Sequence, residues 1–295
     1  IMESIRIVPK GDVALVEWDL VGEKVNKLST PVMTRLWEVL DELNKSNFKA
    51  AVFISRKSSI FIAGADIDEI RAMKKKEEFE KAVAQGQEII NKIEDLKIPV
   101  VAAIHGACLG GGCELVLACD YRIASEDPAT RIGLPEVKLG IIPGFGGCVR
   151  LPRVVGLQAS LDIILAGKSV DSRKASKIGL VDQVVHASIL EEQALKFANE
   201  IKDKGKRKAR HQAKGLMNKV LESGLGQMAM VFPTARKTIL KQSHGHYPAP
   251  LKALEVVQKT YGSTRRDEAL SVERAGFCEV AQTDVSKNLI NVFYL

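Results

Sequence analysis

Two apolar-rich stretches, 3–9 and 13–18, flank Lys10-Gly11-Asp12, and the pattern predicts a β-hairpin. Val32, Leu36, Val39, Leu40 and Leu43 recur at helical spacing and predict a helix over 31–45. The runs at 50–55 and 99–104 are apolar almost throughout, as expected of strands buried on both faces. A charged helix is predicted between them at 76–96, followed by a short helix at 113–119, a strand at 121–124 and a helix at 157–166. Strands that alternate with helices in this way argue for an α/β fold with a parallel-containing sheet covered on both faces. Beyond about residue 187 the pattern is helical with basic stretches, so the chain is divided at that point into 1–187 and a helical extension, 188–295. No internal repeat is apparent. The helical pattern at 284–294 meets no stop signal, which leads us to expect a piece of something longer.

Composition narrows the function classes. Of the 295 residues, 46% are hydrophobic and 27% charged, the balance of a globular protein with a substantial core. No apolar run approaches the roughly 20 residues of a membrane span. The opening residues do not read as a secretory leader. Cys108, Cys113, Cys119, Cys148 and Cys278 contain no C-x-x-C pair, so free thiols in a reducing compartment, cytoplasm or matrix, are expected, with no metal site. The net charge of +7 gathers in Lys202, Lys204, Lys206, Arg207, Lys208, Arg210 and Lys214. That run reads either as a solvated face or as a contact for an anionic partner or membrane surface. Few aromatic residues interleave with it, which argues against nucleic acid.

The candidate chemistry lies in three glycine-rich stretches: FIAGADI at 61–67, HGACLGGGCE at 105–114 and GLPEVKLGIIPGFGG at 133–147. Glycines at strand ends let the backbone approach a ligand, and Gly110-Gly111-Gly112 also opens the helix predicted at 113–119. A helix start with free N–H groups suits an anion or a developing oxyanion. The dinucleotide pattern G-x-G-x-x-G fails at its third glycine, where Leu115 follows Gly110 and Gly112, and Val149 follows Gly144 and Gly146. Neither a phosphate loop nor a G-x-S-x-G elbow occurs. Two carboxylates remain in apolar surroundings. Glu114 is either a charge in the first turn of its helix or a proton carrier, and Glu136 is either an ion-paired loop residue or a second carrier. His105 reads as a structural residue at a strand end, and the cysteines as small buried side chains.

Taken together, in this order and spacing, the three stretches resemble the crotonase (enoyl-CoA hydratase/isomerase) superfamily. The resemblance covers about 5–187 and continues through Arg150-Leu151-Pro152-Arg153 and Gly179-Leu180-Val181-Asp182. The stretch His246-Tyr247-Pro248-Ala249-Pro250 resembles the multifunctional fatty-acid-oxidation α subunits, in which a dehydrogenase part follows. The resemblance implies a crotonase-like spiral of ββα units, then a mostly helical extension toward a dehydrogenase part absent from this chain. It implies Glu114 and Glu136 as the catalytic pair in hydration of trans-2-enoyl-CoA, with the Ala65 and Gly111 N–H groups as oxyanion hole. Ala63, Gly64, Asp66, Ile67 and Gly110 would line the substrate, and Arg56 and Lys57 are candidates for the CoA phosphates. One departure from the family pattern is Cys148-Val149, where relatives often carry Thr or Ser and then Gln. No cofactor is expected beyond the CoA carried by the substrate, and no NAD site. The expected partners are the acyl-CoA substrate, further copies of the chain, and a thiolase subunit or an anionic membrane as candidate contacts of the extension. Two other readings stay open: Δ3-Δ2-enoyl-CoA isomerisation, which needs one carboxylate, and a non-catalytic acyl-CoA-binding or assembly module.

Overall fold

A computed structural model describes residues 4–207, 220–221 and 223–294. The chain forms two compact units, each drawn from separated stretches. Unit one comprises 1–66, 86–133 and 169–209, and unit two comprises 67–85, 134–168 and 210–295.

Unit one holds every described strand. Its larger sheet is built from β1 (Ile5–Lys10), β2 (Val13–Trp18), β3 (Ala50–Ser55), β5 (Val100–Ile104), β7 (Tyr121–Ser125) and β10 (Gln183–Val185), adjacent in that order. The hairpin forms as expected, with Lys10 opposite Val13, and the remaining pairings are parallel. Every residue of β2, β3 and β5 is buried. Their near-continuous apolar sequences therefore reflect covering of both faces rather than a half-exposed sheet. A smaller sheet has the order β4 (Ile60–Ile62), β6 (Ala107–Leu109), β8 (Arg131–Gly133) and β9 (Ser169–Val170), with β9 antiparallel to β8. In chain order, β3 is followed by β4, β5 by β6 and β7 by β8, so each long strand hands on to a short one. These short strands lie within or beside the glycine-rich stretches that the sequence presents as loops.

Helix α1 (Thr30–Lys45) buries Val32, Met33, Leu36, Val39, Leu40 and Leu43 on one face and packs against β1. Pro31 in its first turn supplies a preset backbone angle where no N–H partner is needed. Helix α8 (Leu190–Ile201) lies beyond residue 187 yet belongs to unit one. Its Leu190, Ala194, Ala198 and Ile201 pack on Val13, Leu15, Val52, Ile54, Val101 and Ala103 of the larger sheet. Burying a side chain such as Leu190 or Ile201 contributes about 1.5–3 kcal/mol, so α8 is part of the core. Just after it, Lys206 Nζ donates to Glu94 O at 2.8 Å, and Arg207 pairs with Asp182 and lies 5.3 Å from the Tyr121 ring centre. These two cations of the basic run are engaged inside unit one. Lys208, Arg210 and Lys214 lie outside the described residues.

Unit two is helical. It contains α2 (Ile67–Ala72), the first turns of α3 (Lys76–Glu94), the 3-10 turn Glu136–Leu139, and the helices Gly147–Val155 and Leu157–Ala166. The later helices Phe232–Ser243, Pro248–Thr260, Arg266–Ala281 and Asp284–Phe293 complete it. Pro248, from the stretch singled out in the sequence, occupies the first position of its helix. A groove of about 550 Å³ lies among these helices, lined by Met228, Phe232, Arg236, Leu251, Leu254 and Gln258, and contains none of the candidate site residues. Among the described residues no helix is long and apolar enough to cross a membrane.

Candidate active site

In unit one the first two glycine stretches meet backbone to backbone. A Cβ placed on Gly64 would lie 3.3 Å from Leu109 O and 3.8 Å from Gly111 N. That is a tight fit for a Cβ, and Gly64 also holds φ at +122°, a conformation that other residues rarely adopt. Across the other edge, Leu28 N donates to Gly64 O at 2.8 Å and Asp66 N to Leu28 O at 3.2 Å, around a parallel bridge between Leu28 and Ala65. In such a bridge the intervening residue points its own N–H to the opposite side, so Ala65 N–H is turned away from Leu28. Ala63 N is taken up by Asn26 O at 2.8 Å. Asp66 pairs with Lys27 at 2.9 Å, which gives it an orienting place in this loop.

Helix α4 (Gly111–Ala118) begins at Gly111, two residues earlier than the apolar pattern suggested, because the glycines themselves enter the first turn. The first N–H groups of a helix have no acceptor within it, so Gly111 presents a donor at a positive helix end. Glu114 lies one turn further on, only 2% exposed, with its own N–H bonded to Gly110 O at 2.9 Å. At the other end of α4, the buried Arg122 donates to Val116 O at 3.1 Å, Cys119 O at 2.8 Å and Leu180 O at 2.7 Å. The Val116 and Cys119 carbonyls lie at the C-terminal end of α4, where a guanidinium fork both bonds them and complements the negative helix end, while the bond to Leu180 O ties that end to a later stretch of the chain.

Asn26 and Arg122 also hold the site in place, and neither belongs to the three glycine-rich stretches. Asn26 is fully buried; its Nδ2 reaches Ser55 Oγ at 2.9 Å and Phe61 O at 3.1 Å, and its Oδ1 accepts from Leu20 N at 3.1 Å. It therefore ties β4 and the Ala63 loop to the end of β2. An isolated Asn between Val25 and Lys27 carries no periodic signal. Arg122 stood in an otherwise apolar strand, and a lone cation there was the one signal available.

Arg56 and Lys57 are engaged in local pairs. Arg56 Nε donates to Glu17 at 2.9 Å and its Nη1 to Glu191 at 2.5 Å, while Lys57 Nζ contacts Asp19 at 2.7 Å and Leu20 O at 2.8 Å. His105 contacts Lys57 O at 2.6 Å, the structural role expected of it. Burial pushes the Glu17 carboxyl upward, but hydrogen bonds and charge from Arg56 and Arg6 outweigh it and leave its pKa below the ordinary 4.5. A depressed folded-state pKa stabilises the protein above the unfolded value, and that stability is lost as pH falls through the folded value. Glu17→Gln is thus expected to flatten the acid side of the stability profile at and below pH 4.5, as read by urea midpoints. An unchanged slope would remove Glu17 from the account.

All five cysteines are buried and free. Burial raises the Cys108 thiol well above its usual value, and burial, with Asp120 nearby, pushes Cys119 up to about 12. A thiol that stays protonated and enclosed is a poor nucleophile. Neither thiol is expected to react with a disulfide reagent in the native protein at neutral pH, and both are expected to react after unfolding. Rapid native labelling at Cys108 or Cys119 would contradict the burial.

In unit two, Glu136 opens its 3-10 turn, half-buried, with Oε2 sealed from solvent. The turn closes through Gly140, which adopts φ +72°, and Gly140 N donates to Val137 O at 3.1 Å. Ile67, at the start of α2, also lies in unit two.

Comparison with known proteins bears on the family and the fold. The family model described as Enoyl-CoA hydratase/isomerase matches residues 13–244. The fatty acid oxidation complex subunit alpha of Shewanella sp. (strain ANA-3) is 40% identical over 284 residues, covering 96% of this chain and 39% of that protein. The subunit of the same name from Vibrio vulnificus (strain CMCP6) is 39% identical over 288 residues, covering 97% of this chain and 40% of that protein. The chain thus spans about two fifths of the length of these curated relatives. Among solved structures, an enoyl-CoA hydratase from Bacillus anthracis superposes with a TM-score of 0.64 at 29% identity, covering 90% of this chain and 99% of that one. Human mitochondrial delta3-delta2-enoyl-CoA isomerase shares the fold with a TM-score of 0.69 at 24% identity, over 99% of this chain and 97% of that one. With its α/β core, its helical C-terminal portion and the matched span, the chain belongs to the enoyl-CoA hydratase/isomerase, or crotonase, family.

Proposed function

We propose that this chain hydrates trans-2-enoyl-CoA thioesters in fatty-acid β-oxidation. The observation that carries the reading is the meeting of Gly64 with Gly110-Gly111 in unit one, beside a buried Glu114 one helical turn away. Backbone donors at a helix start suit the negative charge that builds on a thioester oxygen, and each such donor is worth about 3–4 kcal/mol in a reaction of this kind. In the proposed step Glu114 takes a proton from water as its oxygen attacks Cβ, and Glu136 gives a proton to Cα. The two carboxyl groups then re-equilibrate, so water adds across the double bond with no net change in the enzyme. Ala65 and Gly111 N–H would hold the enolate-like oxygen, and Ala63, Gly64, Asp66, Ile67 and Gly110 would line the thioester and CoA. The chemistry calls for no cofactor. Arg56 and Lys57 would reach the CoA phosphates only by sharing donors with Glu17, Glu191 and Asp19.

Incubation with crotonyl-CoA tests this directly: loss of the conjugated-thioester absorbance is expected. No loss with short- or long-chain 2-enoyl-CoA would refute hydration. The family description covers isomerases too, and conversion of a 3-enoyl-CoA to the absorbing 2-enoyl form would support that second activity. The relatives' name, a complex subunit alpha, also motivates the proposal that residues from about 188 onward dock a thiolase subunit or an anionic membrane, and that the chain acts in an oligomer.

A further inference from the structure

The family match ends at residue 244, yet in unit two the segment that follows Glu136 is held by helices beyond that point. Three successive anchors come from them. Ser286, fully buried, donates from its hydroxyl to Leu139 O at 3.2 Å, and a Cβ on Gly140 would lie 2.7 Å from Ser286 Cα. Gly144 abuts the Phe277 ring, which lies 3.0 Å from its Cβ position. Glu273, also fully buried, accepts Gly146 N–H on Oε1 at 2.6 Å and Cys148 N–H on Oε2 at 2.8 Å. Gly146 and Cys148 flank the start of the Gly147–Val155 helix, whose first N–H groups lack partners within it. A carboxylate supplied from 125 or more residues away in the chain thus caps that helix and fixes where the preceding loop must end.

We propose that Glu273 is a positioning residue for Glu136: by pinning Gly146 and Cys148 it sets the path of the loop from Glu136 onward, so the C-terminal helices belong to the catalytic apparatus. The turn itself is short and glycine-rich. Gly140, Gly144 and Gly146 widen the backbone conformations open to it, and Gly140 and Gly146 both sit at positive φ. The three anchors from distant helices add order to it, and a charged acceptor for two backbone donors is the strongest of the three. The inference rests on the proposed role of Glu136.

Glu273→Gln is the test, because the amide keeps the shape and one acceptor but turns an NH₂ toward the second backbone donor. Displacement of a catalytic group by about 1 Å can cost about 100-fold in rate. Turnover of crotonyl-CoA is therefore expected to fall by about 10- to 100-fold while KM stays nearly constant, measured well below the variant's unfolding temperature. Adding Glu273→Gln to Glu136→Gln is expected to cost little more, since the two act through one group. Wild-type turnover in Glu273→Gln, or full additivity in the double variant, would overturn the proposal. Glu273→Asp, which keeps the charge, is expected to recover part of the lost turnover; an Asp variant no better than Gln would also count against it. Amide hydrogen exchange gives a readout independent of activity. Faster exchange in Glu273→Gln is expected to spread from 146–148 back to 136–141. Exchange confined to 146–148 would overturn positioning even if the wild-type chain proved to hydrate no enoyl-CoA, so the two failures are distinguishable.

Discussion

Glu114→Gln and Glu136→Gln are each expected to lower hydratase turnover by about 10²–10⁴, the usual contribution of a positioned acid or base. The amide preserves volume and much of the hydrogen bonding but cannot take or give the proton. For Glu114 the expectation is sharpened by its setting, because α4 is buried at every position and the side chain is only 2% exposed. Enclosure of that kind keeps bulk water from substituting for the lost carboxylate. Because the amide keeps shape and hydrogen-bonding groups, neither variant is expected to unfold, and a folded thermal melt should accompany the loss. Retention of more than about a tenth of parental turnover by both variants would exclude the proton-transfer roles. A large loss in one variant alone would favour the isomerase reading, which needs one carboxylate.

Gly112→Ala carries the second large expectation. Glycine in a helix normally costs about 1 kcal/mol relative to alanine, so propensity alone favours the change. Here the new methyl would stand 2.5 Å from Ile62 O and 2.8 Å from Ile62 Cβ, neither of which is a flexible side-chain end. Overpacking of this sort costs about 1–3 kcal/mol, so a net loss of stability of up to about 2 kcal/mol is expected after the propensity gain. The clash is relieved only by moving α4 away from β4. That movement separates Gly111 from the Ala63–Asp66 loop, and loss of one oxyanion donor costs about 10²–10³ in turnover. The paired readouts are the urea midpoint and kcat of the folded variant. Parental kcat together with a lowered midpoint would dissociate this contact from the oxyanion hole.

The same contact shows why parts of the fold were legible in the sequence and parts were not. The long strands β2, β3 and β5 and the helices α1 and α8 bury enough side chains to write their periods into the chain. β4, β6 and β8 have three residues each. A period of two cannot be read from three positions, and their neighbours are glycines chosen for close backbone approach. Gly106, between β5 and β6, shows the demand: at φ +61° its Cβ position lies 2.0 Å from Ser59 O. The recurrence of a long strand followed by a short one left no sequence repeat, because each copy keeps only its backbone path and packs different side chains.

The sequence by itself determined the class of fold, the catalytic candidates and the glycines, since these depend on residue type and on spacing within one stretch. It also marked where the chain turns helical. What it could not determine was which distant groups complete each local feature. That α8 covers the sheet rather than starting a separate part, that Asn26 holds the Ala63 loop, that Arg122 closes the end of α4, and that Glu273 caps a helix begun 125 or more residues earlier were all decided by tertiary structure. The physical reason is common to the four. A burial period repeats along the chain and can be read from it, whereas the partner of a buried donor or acceptor is a single side chain at arbitrary separation, selected by where the folded backbone leaves that group without water.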